Sequence, residues 1–351
     1  MKFLVPVAAL AMSLGIGAAS ADQPSDQPLT KLDPAFDQLV APDTKLEVVR
    51  EGYGFTEGLV YMPQGRRGGY LLLSDMPANV IYKLSTDGKQ QSVWLDHSGY
   101  TGPDIWRVGF MQTNGKDRKD PKFEEFPMIG SNGLALDRQG RVVIASWANR
   151  GIERIEKNGK RVMLTDNLDG KKFNGTNDLV VKKDGSIYFT DGYGGLRGRE
   201  NDPRKGLDYS AVFMWKNGKT VRVTDDIPNT NGLAFSPDEK ILYANGGRNR
   251  NVRAYDVKPD GTLTNSRLLI DLNDDKRIGI TDGMKVDTQG NIWESGPGGI
   301  WVISPQGKAL GHIALPELVA NVAFGDPDFK TLYIPARSSV YKMRVKIPGI
   351  P

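Results

Sequence analysis

Six side chains that can offer an oxygen stand at the head of six similar segments: Glu57, Asn132, Asn177, Asn231, Asp282 and Asn321. Each head, usually followed by Gly, leads into an apolar run, a turn rich in Asp, Pro and Gly, and a second apolar run. NGLALDRQGRVVIAS from Asn132 and NDLVVKKDGSIYFTD from Asn177 are examples. Asn and Asp before Gly favour tight turns, which would account for Asn132 and Asn231. Turn chemistry does not account for Glu57, nor for the lack of Ser, Gly or Lys at any head. Brought to one point, two carboxylates and several amide oxygens suit a hard divalent cation. Calcium takes about 6–8 oxygen ligands from such mixed sets, and two carboxylates balance one divalent charge. One Ca2+ is therefore the expected cofactor, with Mg2+, Mn2+ and Zn2+ as alternatives. Zinc prefers His or Cys; the chain has no Cys, and its two histidines, His97 and His312, match no repeat position.

Residues so far apart converge only if the repeats close into a ring. With 41 glycines and 21 prolines, turns must be frequent, and long helical periodicity is absent. Short apolar runs such as Val142-Val143-Ile144 and Ile187-Tyr188-Phe189, separated by turn signals, indicate an all-β fold. Most copies continue into another hairpin, with turns at 86–89, 157–160, 216–219, 259–262 and 305–308. Two hairpins make four strands, which is one propeller blade. The sixth copy runs out of chain after the strand around 340–345, and residues 46–50 can supply its missing outer strand. That closure leaves no unpaired sheet edge. The expectation is an all-β, six-bladed β-propeller of four-stranded antiparallel blades over residues 44–346, with the heads facing one another around its axis.

Three stretches fall outside the repeat. Lys2, the apolar run from Phe3 to Ala19 and the small-x-small triplet Ala19-Ser20-Ala21 read as an export signal cleaved after Ala21. A periplasmic or secreted protein is expected. Residues 22–43 form a polar, Pro-rich extension. Residues 97–130 lengthen the first blade-to-blade connection and carry Trp106, Phe110, Phe123 and Phe126, which suits a packed loop or lid. No other segment could span a bilayer, and the net charge of +4 includes no dense basic run of the kind nucleic-acid binding requires. The mature chain is expected to bind neither membrane nor nucleic acid, as a monomer or weak oligomer.

Glu57-Gly58, Asn132-Gly133-Leu134, Phe173-Asn174-Gly175-Thr176-Asn177-Asp178, Asn231-Gly232-Leu233 and Thr281-Asp282-Gly283-Met284 occur in that order. The run Gly296-Pro297-Gly298-Gly299-Ile300-Trp301 and then Ala323-Phe324-Gly325 follow. Together these motifs resemble the SMP-30/gluconolactonase family, in its bacterial gluconolactonase branch, from about Glu51 to Val345. The resemblance implies a six-bladed propeller with an axial divalent metal held by Glu57, Asn177, Asn231 and Asp282. It also implies hydrolysis of a sugar lactone or related cyclic ester. Two places depart from the family pattern near the presumed pocket mouth. The chain has Trp147-Ala148-Asn149-Arg150 where a His is frequent, and Gly192-Tyr193-Gly194-Gly195 where a Pro often precedes Tyr-Gly.

On this reading the metal polarises the ester carbonyl and Asp282 is the candidate catalytic base. Asp178, next to a ligand, would orient the ring. Asn132, Trp147, Asn149, Arg150, Tyr193 and Arg197 are candidate substrate contacts. Two rivals remain at the level of sequence: a phosphotriester or fluorophosphate hydrolase of the same fold, and a non-catalytic binding propeller whose metal only pins the blades.

Overall fold

The second strand of each repeat is buried on both faces, and this dictates the architecture. Leu71, Leu72 and Leu73 are fully buried in sequence, as are Val143, Ile144 and Ala145. A strand with two apolar faces needs a packed layer on either side, and here the layers are neighbouring blades. The computed structural model describes residues 28–65 and 68–351. The expected export signal and residues 22–27 lie outside the described residues.

Blade I comprises Thr56–Pro63, Gly69–Asp75, Val80–Ser85 and Gln91–Asp96. Blade II comprises Leu134–Leu136, Val142–Ser146, Gly151–Ile155 and Arg161–Thr165. Blade III is Thr176–Val181, Ile187–Asp191, Ala211–Lys216 and Lys219–Thr224. Blade IV is Thr230–Phe235, Ile241–Gly246, Asn251–Val257 and Leu263–Asp271. Blade V runs through Met284–Val286, Ile292–Gly296, Gly299–Ile303 and Ala309–Ala314. Blade VI contains Ala323–Gly325, Thr331–Ala336 and Ser339–Arg344. Its outer strand is Glu47–Glu51 from the N-terminal side, antiparallel to Ser339–Arg344 with Glu47 opposite Lys342. The ring therefore closes as the repeats require. The outer hairpin turns carry their glycines in the left-handed region, Gly159 and Gly218 both at φ 82°, where a side chain would be strained.

The extension is bound to this ring from its first described residues. Leu29–Lys31 pairs with Ala309–Ala314, giving blade V a fifth strand. The 3-10 turn Pro34–Gln38 is capped by Asp33, whose carboxylate accepts from the Ala35 N–H at 2.8 Å. Phe36, Leu39 and Val40 are buried in one cluster with Trp293, Phe324 and Met343. Composition made this stretch look polar, but its few apolar residues are the ones that dock.

Residues 97–130 form a roof. Met111–Thr113 pairs with Glu125–Pro127. Met128 and Ile129 bury against Phe55, Met76, Trp147, Ala148 and Ala320. The backbone N–H groups of Gly109 and Phe110 donate to the carbonyls of Gly195 and Gly194, at 2.9 and 3.2 Å. Phe55 stands two residues before the first head and Ala320 directly precedes the sixth, so the roof sits over the end of the axis where the heads gather. Among the described residues no helix is long and apolar enough to cross a membrane.

Candidate metal centre and active site

The inner strands begin irregularly at the heads. In blades I, III and IV the register with the second strand shifts between Thr56 and Leu59, Thr176 and Leu179, and Thr230 and Leu233. Those steps contain Glu57-Gly58, Asn177-Asp178 and Asn231-Gly232. In the other three blades regular pairing starts two residues after Asn132, Asp282 and Asn321. A bulge re-aims side chains and ends regular pairing, so each head is released from the sheet.

The glycines after the heads are not there for turns. Gly58, Gly133, Gly232 and Gly283 are absent from the positive-φ residues. A side chain at Gly58 would instead strike the Asn132 carbonyl, one at Gly133 would strike Asp178, one at Gly232 the Asp282 carbonyl, and one at Gly283 the Asn321 side chain. Each glycine is thus the space into which the next head packs, and the heads run I to VI around the axis. Polar groups on the second strands fasten this chain. Ser74 Oγ donates to Asn132 O at 2.9 Å, Thr190 Oγ1 to Asn231 O at 2.6 Å, and Asn245 Nδ2 to Asp282 O at 2.5 Å.

The ring holds more negative charge than its heads alone suggest. Glu57, Asp178 and Asp282 are each at least nine-tenths buried, and Glu294, on the second strand of blade V, is fully buried. Burial first, and then the charges of Asp282 and Asp178, push the Glu57 carboxyl well above its ordinary range. Asp282 is pushed up by burial and by Asp178, partly offset by the Asn231 amide beside it. Glu294 is raised by burial and by Asp282. Burial also raises Asp178, against the opposing charge of Lys285 and the Leu179 N–H. The expectation of two carboxylates balancing one divalent ion is therefore incomplete: four buried acids feel one another, with Lys285 as a built-in partial counter-charge.

Several oxygens here lack partners. Glu57 Oε2, Asn231 Oδ1, Asp178 Oδ2, Glu294 Oε2 and both polar atoms of the Asn132 side chain are buried without a hydrogen bond. Unpaired buried polar atoms are costly, and a hard cation is the ligand that satisfies acceptors without needing donors. The donor set therefore fits a calcium-like ion. Among the described residues no three His, Cys, Asp or Glu side chains form a ready metal cluster. In the expected ligand set only Glu57 and Asp282 are of those types, and Asn177 and Asn231 contribute amides.

The candidate substrate contacts divide by what their polar groups already do. Asn132 and Trp147 Nε1 are buried and unpaired. Tyr193 lines a cleft of ≈ 280 Å³ with Tyr209, Ser210 and Asn229. Asn149 donates to Glu153 Oε1 at 2.9 Å and accepts from Thr101. Arg150 donates to the carbonyls of Phe173 and Arg204, and Arg197 to those of Ile105 and Val108. These last three side chains hold loops in place, although the buried Nε of Arg197 is also unpaired. Neither histidine joins the ring. His97 is exposed and paired with Asp96 at 3.0 Å. His312 is buried beside Arg277, and burial with that charge pushes it down to about 4.

Glu294, Lys285 and Asn245 were not singled out by sequence. They sit inside strands, where the repeat predicts packing. The one available signal was the charge itself, since the residues equivalent to Lys285 are Val60, Ala135, Val180, Ala234 and Phe324.

Comparison with known proteins agrees with the propeller fold. The gluconolactonase of Zymomonas mobilis subsp. mobilis is 31% identical over 362 residues, covering 99% of this chain and 96% of the relative. The solved structure of a gluconolactonase from Xanthomonas campestris matches with a TM-score of 0.72 at 26% identity, covering 91% of this chain and 95% of its own. Regucalcin from Agrobacterium tumefaciens, a calcium-binding protein, shares the fold with a TM-score of 0.65 at 16% identity, covering 88% and 96%. The model of the SMP-30/gluconolactonase/LRE-like region matches residues 55–338, and the chain belongs to that family.

Proposed function

We propose that the chain hydrolyses a sugar lactone or related cyclic ester at the roofed end of the axis, using one divalent cation, best Ca2+, held by Glu57, Asn177, Asn231 and Asp282. The observation that carries the reading is the set of buried, unpaired oxygens on Glu57, Asn132, Asn231 and the neighbouring carboxylates Asp178 and Glu294. The names of the relatives supply the reaction class. When bound, the cation supplies Lewis-acid polarisation of the ester carbonyl, worth several kcal/mol of transition-state stabilisation.

The remaining work falls to the chain. Asp282 takes a proton from the attacking water. The water oxygen bonds to the acyl carbon, the ring C–O bond breaks, and the proton returns to the ring oxygen, giving the hydroxy acid. A lactone is an activated ester, so a weakly basic carboxylate suffices. Asp178 keeps its place by accepting the Leu179 N–H at 2.8 Å, and it holds the third head against the second. Asn132 and Trp147, each with an unpaired polar atom, offer hydrogen bonds to substrate hydroxyls. Tyr193 borders a cleft that it shares with Tyr209 and Ser210. Asn149, Arg150 and Arg197 act indirectly, by fixing the roof and the loop after blade III's second strand. Lys2, the apolar run from Phe3 to Ala19 and Ala19-Ser20-Ala21 support a periplasmic or secreted location for this chemistry.

The test is a pH-indicator screen of aldonolactones, aliphatic lactones and phosphotriesters with Ca2+, Mg2+, Mn2+ and Zn2+. Lactone turnover that disappears on chelation, at temperatures where the protein stays folded, is expected. Asp282→Asn abolishes that turnover without unfolding the chain. Wild-type rates in the variant remove Asp282 from the mechanism, and turnover of phosphotriesters alone replaces the substrate class.

A further inference from the structure

The cleft of ≈ 280 Å³ that Tyr193 borders is also lined by Tyr209, Ser210, Asp225, Asp226 and Asn229. Two stretches at the roofed end make its walls. Residues 192–210 connect the second and third strands of blade III, and the roof bonds to them at Gly194 and Gly195. Residues 225–229 lead from the outer strand of blade III to the fourth head. The inner end of the cleft lies beside the ring of heads. Tyr193 stands between Gly192, where a side chain would come 3.7 Å from Thr230 O, and Gly194, where one would strike the Trp147 ring. Asn229 is two residues before Asn231, and Thr230 between them donates its hydroxyl to Asp191 O at 3.0 Å.

The lining is suited to one kind of ligand. Ser210 is only 7% exposed, and its hydroxyl has no hydrogen-bond partner, a costly state unless something in the cleft bonds to it. The Tyr209 ring is held from one side by the Arg222 guanidinium, 4.8 Å from its centre. Both carboxylates are already neutralised: Asp225 pairs with Arg222 at 2.8 Å, and Asp226 with Arg253 at 3.5 Å. Asp226 also accepts from the hydroxyls of Tyr255 and Ser266, at 2.7 and 2.5 Å. With its acids balanced in this way, the cleft does not call for an ion. It offers two flat aromatic rings with polar tips, and a hydroxyl and an amide that can each donate and accept. A sugar ring has the matching surfaces, a face of C–H groups and a rim of hydroxyls. The volume is near the lower end of ligand pockets, about 300–1,000 Å³, which leaves room for one such ring.

We infer that this cleft is a subsite for a neutral glycosyl ring attached to the lactone, so that the chain prefers lactones of disaccharide aldonic acids to those of single sugars. This deepens the lactonase reading and rests on it for the reaction. The subsite itself stands on the cleft and its unpaired buried hydroxyl.

The probes are cellobiono-1,5-lactone and maltobiono-1,5-lactone against D-glucono-1,5-lactone, with rates corrected for uncatalysed ring opening. The first two add a glucose ring to O4 of the third and differ only in the configuration of the linkage. Wild-type enzyme is expected to favour at least one of them in kcat/KM. Ser210→Ala should cut that preference by roughly three- to tenfold, the worth of one hydrogen bond. The loss should appear mainly in KM, with gluconolactone turnover unchanged. Because the Ser210 hydroxyl has no partner within the fold, the variant should melt no lower than wild type. Asn229→Gly keeps the left-handed backbone that Asn229 holds at φ 54°, since glycine adopts it freely, and should act in the same direction. Gluconolactone preferred or equal in the wild type, a preference that both variants retain, or an equal loss on all three lactones overturns the proposal. If no lactone is hydrolysed, the lactonase reading fails separately. The subsite is then judged by saturation-transfer NMR with cellobionate and maltobionate. Transfer to the glycosyl protons that the two variants weaken sustains it; absent transfer, or transfer that both leave unchanged, overturns it.

Discussion

Replacing Asn245 by Leu tests whether the axial ring is held by the bonds described. The side chains are similar in volume, so the main change is the loss of three contacts. The Asn245 amide donates to Asp282 O at 2.5 Å and to Glu294 Oε1 at 2.7 Å, and its carbonyl accepts from the Gly232 N–H at 3.1 Å. A neutral bond contributes about 1 kcal/mol and one to a charged group about 1.5–3 kcal/mol. All three lie in a buried region, so the sum is about 3–5 kcal/mol, at the upper end for one substitution. That corresponds to a fall in melting midpoint of about 5–15 °C. The same residue joins the fourth head to the fifth, and both carry proposed metal ligands. Calcium affinity should therefore weaken as well, by about tenfold or more if even 1.4 kcal/mol of the loss is felt at the site. Differential scanning calorimetry with and without calcium, and calcium titration of the folded protein, measure the two effects. A melting midpoint within 2 °C of wild type, at roughly unchanged calcium affinity, refutes the reasoning.

Gly232→Ala pushes a methyl group into the Asp282 carbonyl. Overpacking of this kind costs about 1–3 kcal/mol or more, and calcium titration should show weaker binding, since the two heads are forced apart. Metal-free protein should lose stability as pH rises. Glu57 and Asp282 have folded values raised above their ordinary 4.5 and 3.8, so their contribution is full below those values and is lost as pH climbs through the raised ones. Melting in chelator at pH 5 and pH 8 reads this directly, and added calcium should reverse the trend because it binds the ionised forms. A higher midpoint at pH 8 without metal contradicts the account. Phe36→Ala empties a site that is 3% exposed. It should destabilise the fold by about 3–5 kcal/mol, seen in urea unfolding, whereas a detached extension would tolerate it.

The blade count, the seam formed by residues from both ends and the outer hairpin turns could be read from sequence, because each depends on local patterns repeated along the chain. The heads were readable for the same reason, although their glycines invited the wrong physics. Asn-Gly before an apolar run looks like a turn, and only the neighbouring blade reveals that Gly133 and Gly232 are spaces for another chain segment. Glu294 was illegible because one charge inside an apolar strand has no repeat to mark it. Its meaning comes from Asn245, 49 positions away. Asn149, Arg150 and Arg197 have residue types suited to sugar hydroxyls. Which polar groups are already engaged depends on loop packing, which no periodicity encodes. The docking of residues 29–40 was hidden by their polar average, since Phe36, Leu39 and Val40 are a small part of the stretch.

The shared sixth blade also sets when the molecule can become complete. Glu47–Glu51 has no partner until Ser339–Arg344 exists, so the circle is sealed only when strands almost 300 residues apart have both been made. Until then the heads belong to an open arc, in which the first lacks its sixth neighbour. On the proposed metal reading, ion capture then waits on the sealing of the ring. Removal of Ser339–Arg344 therefore opens the ring of heads as well as taking away a piece of its rim.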